Sequence, residues 1–450
     1  MSMGHRAKLV RGIGVVALLA AVSSLALAGC RGPAFTVAGA NGDPACEPTE
    51  GASVGEDCDG VFVAAGAASG DGTREAPFVT IAEALSTGAN TVYVCGPNFE
   101  EAVVVSPGTR LFGGLDCSTW SFVLDERTTI TAAPGVIPVT LEGGSGTELE
   151  GFRIVSADAT TPGGSSIALM ASEVSAVLRR VDLVSGNAMA GDAGDPGAEG
   201  LDGDTGQSSS GSTGAFGAGS TCGADGGNGG SGSGSGLAGM QGSPTQGNGG
   251  SAGCQNGGAG DNGIDGDAGD DSSGIGSLAA AGYLPPDPGA VGEMGSPAGG
   301  GGGGGGVAGN GGGAGGSGGC AGSGGAPGSS GGASIAIVML NADLTFESST
   351  AMSGAGGDGG SAGPGGAGGA VSAGGNGNGT ACDGGAGGKG GKGGPGGGGA
   401  GGHSILVGFL GSEPSLDGLT FVAPPDTLAG QGQGTTPTHG LAQPTLDFDL

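Results

Sequence analysis

Aromatic and charged residues are scarce in this chain of 450 residues. Aromatics make up 3% of the sequence and charged residues 12%, whereas glycine alone contributes 119 residues. Because bulky apolar side chains are so few, a conventional hydrophobic core cannot extend through the whole chain. Composition therefore overrules the several globular domains that the length alone would suggest.

Basic residues are also few. The sequence contains 12 Lys and Arg against 42 Asp and Glu, which gives a formal net charge of −30. Nucleic-acid phosphates would be repelled by such a surface, because their binding proteins need a basic footprint. The charge therefore excludes nucleic acid as a partner.

Histidine, the commonest catalytic base, occurs three times, as His5, His403 and His439. No G-x-S-x-G elbow is combined with both an acid and a histidine, so a hydrolase triad is not supported. The nearest catalytic candidate is the set Arg179, Arg180 and Asp182. Alternation along a strand predicts that Arg180 and Asp182 share one face, where a solvated, weak ion pair is the favoured interpretation. We predict no catalytic residue and no enzyme activity.

Metal-binding patterns are weak. No C-x-x-C pair or Cys/His cluster indicates zinc. The stretch Gly257–Asp261 matches the calcium β-roll pattern G-G-x-G-x-D only if one residue is dropped, and no tandem copy follows. Carboxylates, which calcium prefers, nevertheless cluster twice, at Asp192, Asp195, Glu199, Asp202 and Asp204 and at Asp261, Asp265, Asp267, Asp270 and Asp271. We predict no cofactor and no defined metal site, and at most weak calcium attraction by these stretches.

The N-terminus has the organisation of an export signal. A positive region that contains Arg6 and Lys8 precedes the apolar run 13–27. The run ends in Leu27-Ala28-Gly29-Cys30, which resembles the lipobox of bacterial lipoproteins. The resemblance implies removal of residues 1–29, acylation of Cys30 with chains such as palmitate, and retention on a membrane. Because Arg31 follows the cysteine, it implies the outer membrane or cell surface; a plain transmembrane anchor is the alternative.

Nine cysteines are present, and eight remain after Cys30. An even number in an exported chain indicates disulfides. Proximity favours Cys46–Cys58, Cys95–Cys117 and Cys222–Cys254, which leaves Cys320–Cys382, although other pairings stay open.

The folded part is predicted to begin near residue 59 with a cap. Helical spacing of apolar residues after Pro77 predicts a short amphipathic helix that contains Phe78, Ile81, Ala82 and Leu85. The order G-T-x-x-x-P-F-x-T-I-x-x-A-L resembles the N-terminal cap of right-handed parallel β-helices of the pectate-lyase-like superfamily. The residues that match are Gly72, Thr73, Pro77, Phe78, Thr80, Ile81, Ala84 and Leu85.

One phrase occurs three times, at Gly163–Ile167, Gly331–Ile335 and Gly401–Ile405, and each copy opens an apolar run. This repetition predicts equivalent stacked strands in which Ile167, Ile335 and Ile405 are neighbours, with the glycine-rich segments leaving and returning at one corner. The predicted fold is therefore all-β, a capped right-handed parallel β-helix with two long insertions. An antiparallel sandwich is the alternative.

The resulting division of the chain follows these changes of composition. The predicted segments are a signal peptide (1–29), a lipidated tether (30–58), the cap and first rungs (59–190), insertion 1 (191–332), a rung (333–353), insertion 2 (354–402), the last rung (403–423) and a polar, loosely held tail (424–450). Docking of the tail's short end, 446–450, on the open end of the coil is the alternative for that segment.

The two insertions repeat with a period of three residues, first as Gly-x-y and later as Gly-Gly-x. This period matches the extended left-handed helix with three residues per turn, which has no internal hydrogen bonds. Such helices can satisfy one another side by side because glycine permits close approach. Disorder is the alternative, since ordering glycine costs the most entropy. A polyglycine-II-like bundle and a disordered segment both remain open.

The combined features resemble the PGRS-type glycine-rich proteins of myxobacteria. The resemblance implies a non-enzymatic lipoprotein that acts as a structural or adhesive element of the cell surface. Its expected partners are the membrane, through the lipid, and envelope proteins or extracellular polysaccharide. The alternative hypothesis is a β-helix protein that binds or cleaves extracellular polysaccharide.

Overall fold

The computed structural model describes residues 46–47, 50–244 and 247–449. The predicted signal peptide, Cys30 and most of the tether lie outside the described residues. Within the described ranges, no helix has both the length and the apolar character needed to cross a membrane.

The described chain is nearly all β, as the sequence predicts, with one short α-helix, α1 (Ile81–Ser86). The strands are β1 (Val61–Ala64), β2 (Thr91–Cys95), β3 (Asn98–Glu100), β4 (Val103–Val105), β5 (Arg110–Leu115), β6 (Thr128–Thr131), β7 (Val139–Glu142), β8 (Ser145–Glu150), β9 (Phe152–Val155), β10 (Ser166–Ser172), β11 (Ser175–Arg179), β12 (Asp182–Val184), β13 (Ser277–Ala279), β14 (Gly282–Leu284), β15 (Ser334–Leu340), β16 (Asp343–Glu347), β17 (Ser349–Met352), β18 (Ser404–Leu410), β19 (Leu419–Phe421) and β20 (Ala442–Asp447).

The strands form three six-stranded sheets. Sheet I has the order β1-β2-β5-β8-β11-β16, sheet II the order β4-β7-β10-β15-β18-β20, and sheet III the order β3-β6-β9-β12-β17-β19. The described pairings within these three sheets are parallel. From β2 to β12 the chain visits sheet I, then III, then II, and repeats this order. Because these pairings are parallel, the alternative of an antiparallel sandwich is wrong, and the fold is compatible with a parallel β-helix.

The repeated phrase opens three neighbouring strands of sheet II. Ile167 of β10 pairs with Ile335 of β15, which pairs in turn with Ile405 of β18. The predicted alignment is therefore confirmed. Insertion 1 leaves after β12 and returns at β15, and insertion 2 leaves after β17 and returns at β18. Both insertions thus connect sheet III to sheet II.

Apolar side chains from all three sheets meet in one cluster, which includes Leu111, Leu141 and Ile154. Helix α1 joins this cluster through Ile81 and Ala84. Its N-cap is Thr80, whose hydroxyl accepts the Glu83 N–H at 3.1 Å. The helix predicted from apolar spacing is therefore present, although Ala82 is exposed. The helix packs on β1, β2 and β4 and covers part of the core at these first strands.

The C-terminal segment is a structural element and not the loosely held tail that the sequence predicts. Its strand β20 pairs in parallel with β18, and Leu446 and Phe448 are buried. Pro444 lies in this edge strand. Proline suits an edge because it has no N–H to offer a further strand.

Four disulfides cross-link the described chain. Cys46–Cys58 and Cys95–Cys117 occur as predicted. The other two predicted pairings are wrong, since Cys222 bonds to Cys320 and Cys254 bonds to Cys382. Sequence proximity failed because side-by-side packing of the extended glycine-rich segments decides which cysteines meet.

Candidate functional site

The two insertions form one bundle of extended segments. Any two neighbouring segments are joined by backbone hydrogen bonds that recur at every third residue. In the segment 191–206, Gly191 donates to the carbonyl oxygen of Asp358 and Gly194 to that of Ser361, each at 2.8 Å. The same segment accepts from an antiparallel neighbour, as in Ser329 N–H to Asp192 O at 3.0 Å. The three-residue period read from the sequence is therefore the period of lateral contact, and the insertions are ordered by it.

The run Gly299–Gly306 lies at the centre of the bundle and is buried throughout. Successive N–H groups donate to three different segments, and successive carbonyl groups accept from three others, so six segments surround it. The donor bonds are Gly302 to Gly258, Gly303 to Met240 and Gly304 to Gly313; the acceptor bonds come from Gly227 to Gly301, from Gly385 to Gly302 and from Gly250 to Gly303.

Glycine is required in this run because no face is free to hold a side chain. A Cβ at Gly302 would overlap the carbonyl oxygen of Asn248, and one at Gly303 would overlap that of Asn228. Edge segments such as 191–206 pack on fewer faces and keep only one glycine per triplet. Glycine content along the insertions therefore follows the number of packed neighbours.

Edge side chains complete the hydrogen bonding. Asp202 Oδ1 accepts the Ala370 N–H at 2.7 Å, and Asp265 Oδ1 accepts the Lys392 N–H at 2.7 Å. Asn262 accepts from Lys389 at 2.8 Å in the same way. These acceptors satisfy amides at the outward third position, which the neighbouring backbones do not reach. Some of the carboxylates predicted to attract calcium thus act as edge acceptors.

The other carboxylates of the two predicted clusters are exposed, apart from the half-buried Asp271. Asp271 Oδ1 accepts the Gly398 N–H at 2.7 Å, and its Oδ2 accepts the Thr436 N–H at 2.6 Å. Burial raises the pKa of Asp271, but these hydrogen bonds outweigh it and hold the pKa below its usual value. Nowhere in residues 46–47, 50–244 and 247–449 do three or more His, Cys, Asp or Glu side chains converge in a geometry that could hold a metal ion.

One side of the bundle presents two neighbouring rows of exposed third residues; we call it the row face. The segments that carry it run antiparallel, as in Gly390 N–H to Gly369 O at 2.9 Å. Residues along a three-per-turn helix repeat at about 9 Å. The exposed residues are Asp358, Ser361, Pro364, Ala367 and Ala370 in one row and Ala386, Lys389, Lys392 and Pro395 in the other.

A buried serine ladder anchors the insertions to the sheets. Ser334, the serine of the repeated phrase, donates to Gly186 O at 2.7 Å, lies 2.9 Å from the Ser185 hydroxyl, and accepts the Gly354 N–H at 2.9 Å. Ser166 and Ser404 hold equivalent positions, donating to Ala157 O and Gly354 O. Sequence analysis missed this role, although a serine at one position of all three copies was the available signal.

A hairpin of insertion 1, β13–β14, covers the outer face of sheet II. Leu278 and Tyr283 pack there with Ile335, Ile405 and Phe448 in a second apolar cluster. Sequence analysis did not predict this hairpin, because three-residue strands inside a glycine-rich insertion carry no readable alternation.

His403 lies where the hairpin, β18 and the C-terminal segment meet, and it is 2% exposed. Its Nδ1 accepts the Leu441 N–H at 3.0 Å, and its Nε2 lies 2.8 Å from Ile275 O. The first contact requires an unprotonated Nδ1, so Nε2 carries the proton and donates to Ile275 O. Burial lowers the pKa of His403, with a smaller opposing effect of the bond to Ile275.

The predicted catalytic candidates do not form one group. Arg180 has a φ of 49° and lies between β11, which ends at Arg179, and β12, which begins at Asp182. Arg180 Nη2 pairs with Glu150 Oε1 at 2.6 Å, whereas Asp182 lies 3.9 Å from Arg127 Nε. Arg179 bridges Glu148 and Glu347. Arg180 and Asp182 are half-buried on either side of the buried Val181, but they have different ion-pair partners.

No family model, curated protein or solved structure matches this chain. The assignment of function therefore depends on the geometry of the bundle and of the sheets.

Proposed function

We propose that this protein is a non-enzymatic, lipid-anchored protein of the bacterial outer membrane and cell surface, a PGRS-type lipoprotein with a structural or adhesive role. Its fold is a capped right-handed parallel β-helix that carries a polyglycine-II bundle. The supporting observation is the ordered row face, a repeating surface of small and polar residues on a glycine-rich bundle with almost no apolar core.

The bundle is suited to a place outside the cell. Its interior is backbone hydrogen bonds and glycine, so apolar burial contributes little to its stability. Two disulfides, Cys222–Cys320 and Cys254–Cys382, cross-link its segments instead. Disulfides persist in oxidising surroundings such as the periplasm and the cell surface.

The anchor is Cys30, which lies outside the described residues. Several acyl chains on one residue anchor stably, because each buried methylene contributes roughly 0.8 kcal/mol. Incorporation of labelled palmitate, followed by membrane fractionation, tests this step. We expect label and membrane association in the native chain and neither in Cys30→Ala; equal fractionation of the two chains would contradict the anchor.

Surface display has a separate test, since the only lysines after the signal are Lys389 and Lys392. Both are exposed on the row face. An amine reagent that cannot cross membranes should label intact cells that carry the native chain. A Lys389→Arg, Lys392→Arg variant, which keeps the charge, is the matched control and should lose the label. Labelling only after cell lysis would place the bundle inside the envelope.

Binding or cleavage of extracellular polysaccharide remains the second hypothesis, because the row face is a regular array of the kind that a polymer could follow. A glycan array and a lyase screen on the full chain distinguish the two. Cleavage that disappears in both Arg180→Ala and Asp182→Ala, with folding intact by circular dichroism, would favour the enzyme.

A further inference from the structure

The two histidines of the described chain hold the C-terminal segment in the same chemical way. His403 Nδ1 accepts the Leu441 N–H at 3.0 Å, and His439 Nδ1 accepts the Gly432 N–H at 3.1 Å. Both contacts need a ring nitrogen that carries no proton. Histidine changes its protonation between about pH 5 and pH 8, unlike the other side chains in their usual range.

We propose that the C-terminal segment 437–448 is an acid-released strap, held by these two histidine acceptors and set free when the buried His403 ring is protonated. A protonated Nδ1 carries a hydrogen, so two N–H donors would then point at each other. The hydrogen bond is lost and replaced by repulsion. His403 is buried beneath this segment, and His439 lies exposed on the segment itself.

Among the described residues, no charged group compensates a positive charge on His403. Tyr283 of β14 is the titratable side chain whose ring contacts it, at 5.7 Å between centroids, and Phe448 lies at 6.0 Å. Burial raises the pKa of Tyr283, which therefore stays neutral. The carboxylates on β20 and just after it are engaged elsewhere, since Asp449 accepts the Gly411 N–H at 2.7 Å and Asp447 accepts from Asp449.

The charged groups of the other packed elements are also engaged or distant. Asp271, before the hairpin, binds Gly398 and Thr436. Gln431, which precedes the Gly432 that donates to His439, donates its N–H to Asp358 at 2.7 Å. Neither histidine has an ion pair within residues 46–47, 50–244 and 247–449. A buried imidazolium at His403 would therefore be uncompensated, which is costly.

The sign of the effect follows from linkage. Because burial lowers the pKa of His403, this histidine binds a proton more tightly when the segment is released or unfolded than when it is docked. The docked state is favoured fully above the ordinary histidine pKa and loses stability as the pH falls. The equilibrium constant for release changes roughly tenfold for each unit by which the pKa of His403 differs between the docked and the released state. Asp271, whose pKa lies below its usual value, still holds Thr436, so release begins after that residue.

Release would uncover the edge of β18 and the apolar cluster of sheet II. Leu446 and Phe448 would leave Ile405 and Leu278, which they now cover. Gly408 leaves room for the Phe448 ring, since a Cβ there would lie 3.1 Å from it. An uncovered strand edge is a template for an added strand.

Hydrogen exchange of the full chain at pH 7.5 and pH 5.0, corrected for intrinsic rates, tests the strap. We expect amides 441–447 to lose at least tenfold protection at pH 5.0, while β10 and β15 keep theirs. A His403→Asn, His439→Asn chain keeps an oxygen acceptor at the same position and does not titrate, so it should stay protected. Equal wild-type protection at both pH values, or equal loss in the double variant, would overturn the proposal.

A measurement on the native chain covers the case in which the double variant does not fold. Nitrogen chemical shifts of the histidine rings should show a bare Nδ1 at pH 7.5. The midpoint of the His403 titration should coincide with loss of amide protection. A protonated Nδ1 at neutral pH, or release at a midpoint unrelated to the rings, would refute the strap.

Discussion

Ile167 and Ile335 are direct neighbours on adjacent parallel strands, although the whole of insertion 1 lies between them in the sequence. Long excursions of this kind are compatible with stability because the entropy of closing a loop rises only slowly with its length. Insertion 1 is itself ordered, and the serine ladder holds both of its ends against the sheets.

Substitution of Gly303 by alanine should destabilise the bundle. A Cβ there would overlap the Asn228 carbonyl oxygen, and backbone on six sides cannot move away. We expect a loss of about 2 to 3 kcal/mol, in the range of overpacked cores. Thermal unfolding, with limited proteolysis to locate the change, would measure it.

Gly219→Ala is the matched control. No atom lies within 4 Å of a Cβ at that position, and its φ is not in the left-handed region. Alanine should be neutral or stabilise by about 0.4 to 1 kcal/mol through the unfolded chain. An equal loss in both variants would show that glycine content, and not local space, sets stability.

Removal of the Cys254–Cys382 bridge by a double serine substitution should loosen the bundle selectively. The bridge spans 128 residues, for which the chain-entropy model gives about 5 kcal/mol. Protease should then cut within 191–332 and 354–402 while the three sheets stay intact. Mass spectrometry of the fragments is the readout.

The Cys46–Cys58 bridge provides the comparison, since it spans only 12 residues and lies far from the bundle in sequence. Its removal should leave the bundle resistant. If protease cuts the sheets earlier than the insertions in the chain that lacks Cys254–Cys382, the bundle does not have a stability of its own.

Ser334→Ala should weaken the attachment of both insertions. The substitution leaves the Gly354 N–H and the Gly186 carbonyl without their partner in a buried site. An unsatisfied buried group costs about 1 to 3 kcal/mol. Denaturant unfolding would measure this, and the exposed Ser361→Ala, expected to change stability by less than about 0.5 kcal/mol, is the control.

Arg180→Ala should destabilise the sheets in a pH-dependent way. The side chains of Arg180 and Glu150 are only 13% and 12% exposed. Burial raises the pKa of Glu150, and the Arg180 hydrogen bond and charge oppose that rise. Loss of the arginine leaves the Glu150 carboxylate without its ion-pair partner. We expect this to lower the free energy of unfolding by about 2 to 3 kcal/mol at pH 7.

The sign follows from the raised pKa of Glu150. Its neutral form is favoured in the folded state, so the penalty appears as the pH rises through the folded pKa and shrinks in acid. Urea unfolding at pH 4 and pH 7 should show the larger difference at pH 7. The exposed Arg153→Ala should show little at either value, and a pH-independent loss in Arg180→Ala would contradict the assignment.

The sequence predicts most of the scaffold. The repeated phrase identified three aligned strands, because equivalent layers of a stacked sheet demand equivalent patterns. Apolar spacing after Pro77 identified α1, and short separations identified Cys46–Cys58 and Cys95–Cys117. Each of these signals is local or repeats itself.

The sequence does not predict which extended segments are neighbours in the bundle. The predicted pairings Cys222–Cys254 and Cys320–Cys382 are wrong for that reason. A three-residue period predicts the conformation of each segment, but it does not predict which segment lies beside it. The same holds for Asp202 and Asp265, whose acceptor role depends on an amide far away in the chain.

Composition and periodicity by themselves determined an acidic, nearly all-β chain with aligned strands and glycine segments of three-residue period, because those properties depend on local spacing. Only the tertiary structure decided the disulfide partners in the bundle, the six neighbours of Gly299–Gly306 and the position of His403 under the C-terminal strand. The physical reason is that lateral packing joins residues whose separation in sequence carries no information about their contact.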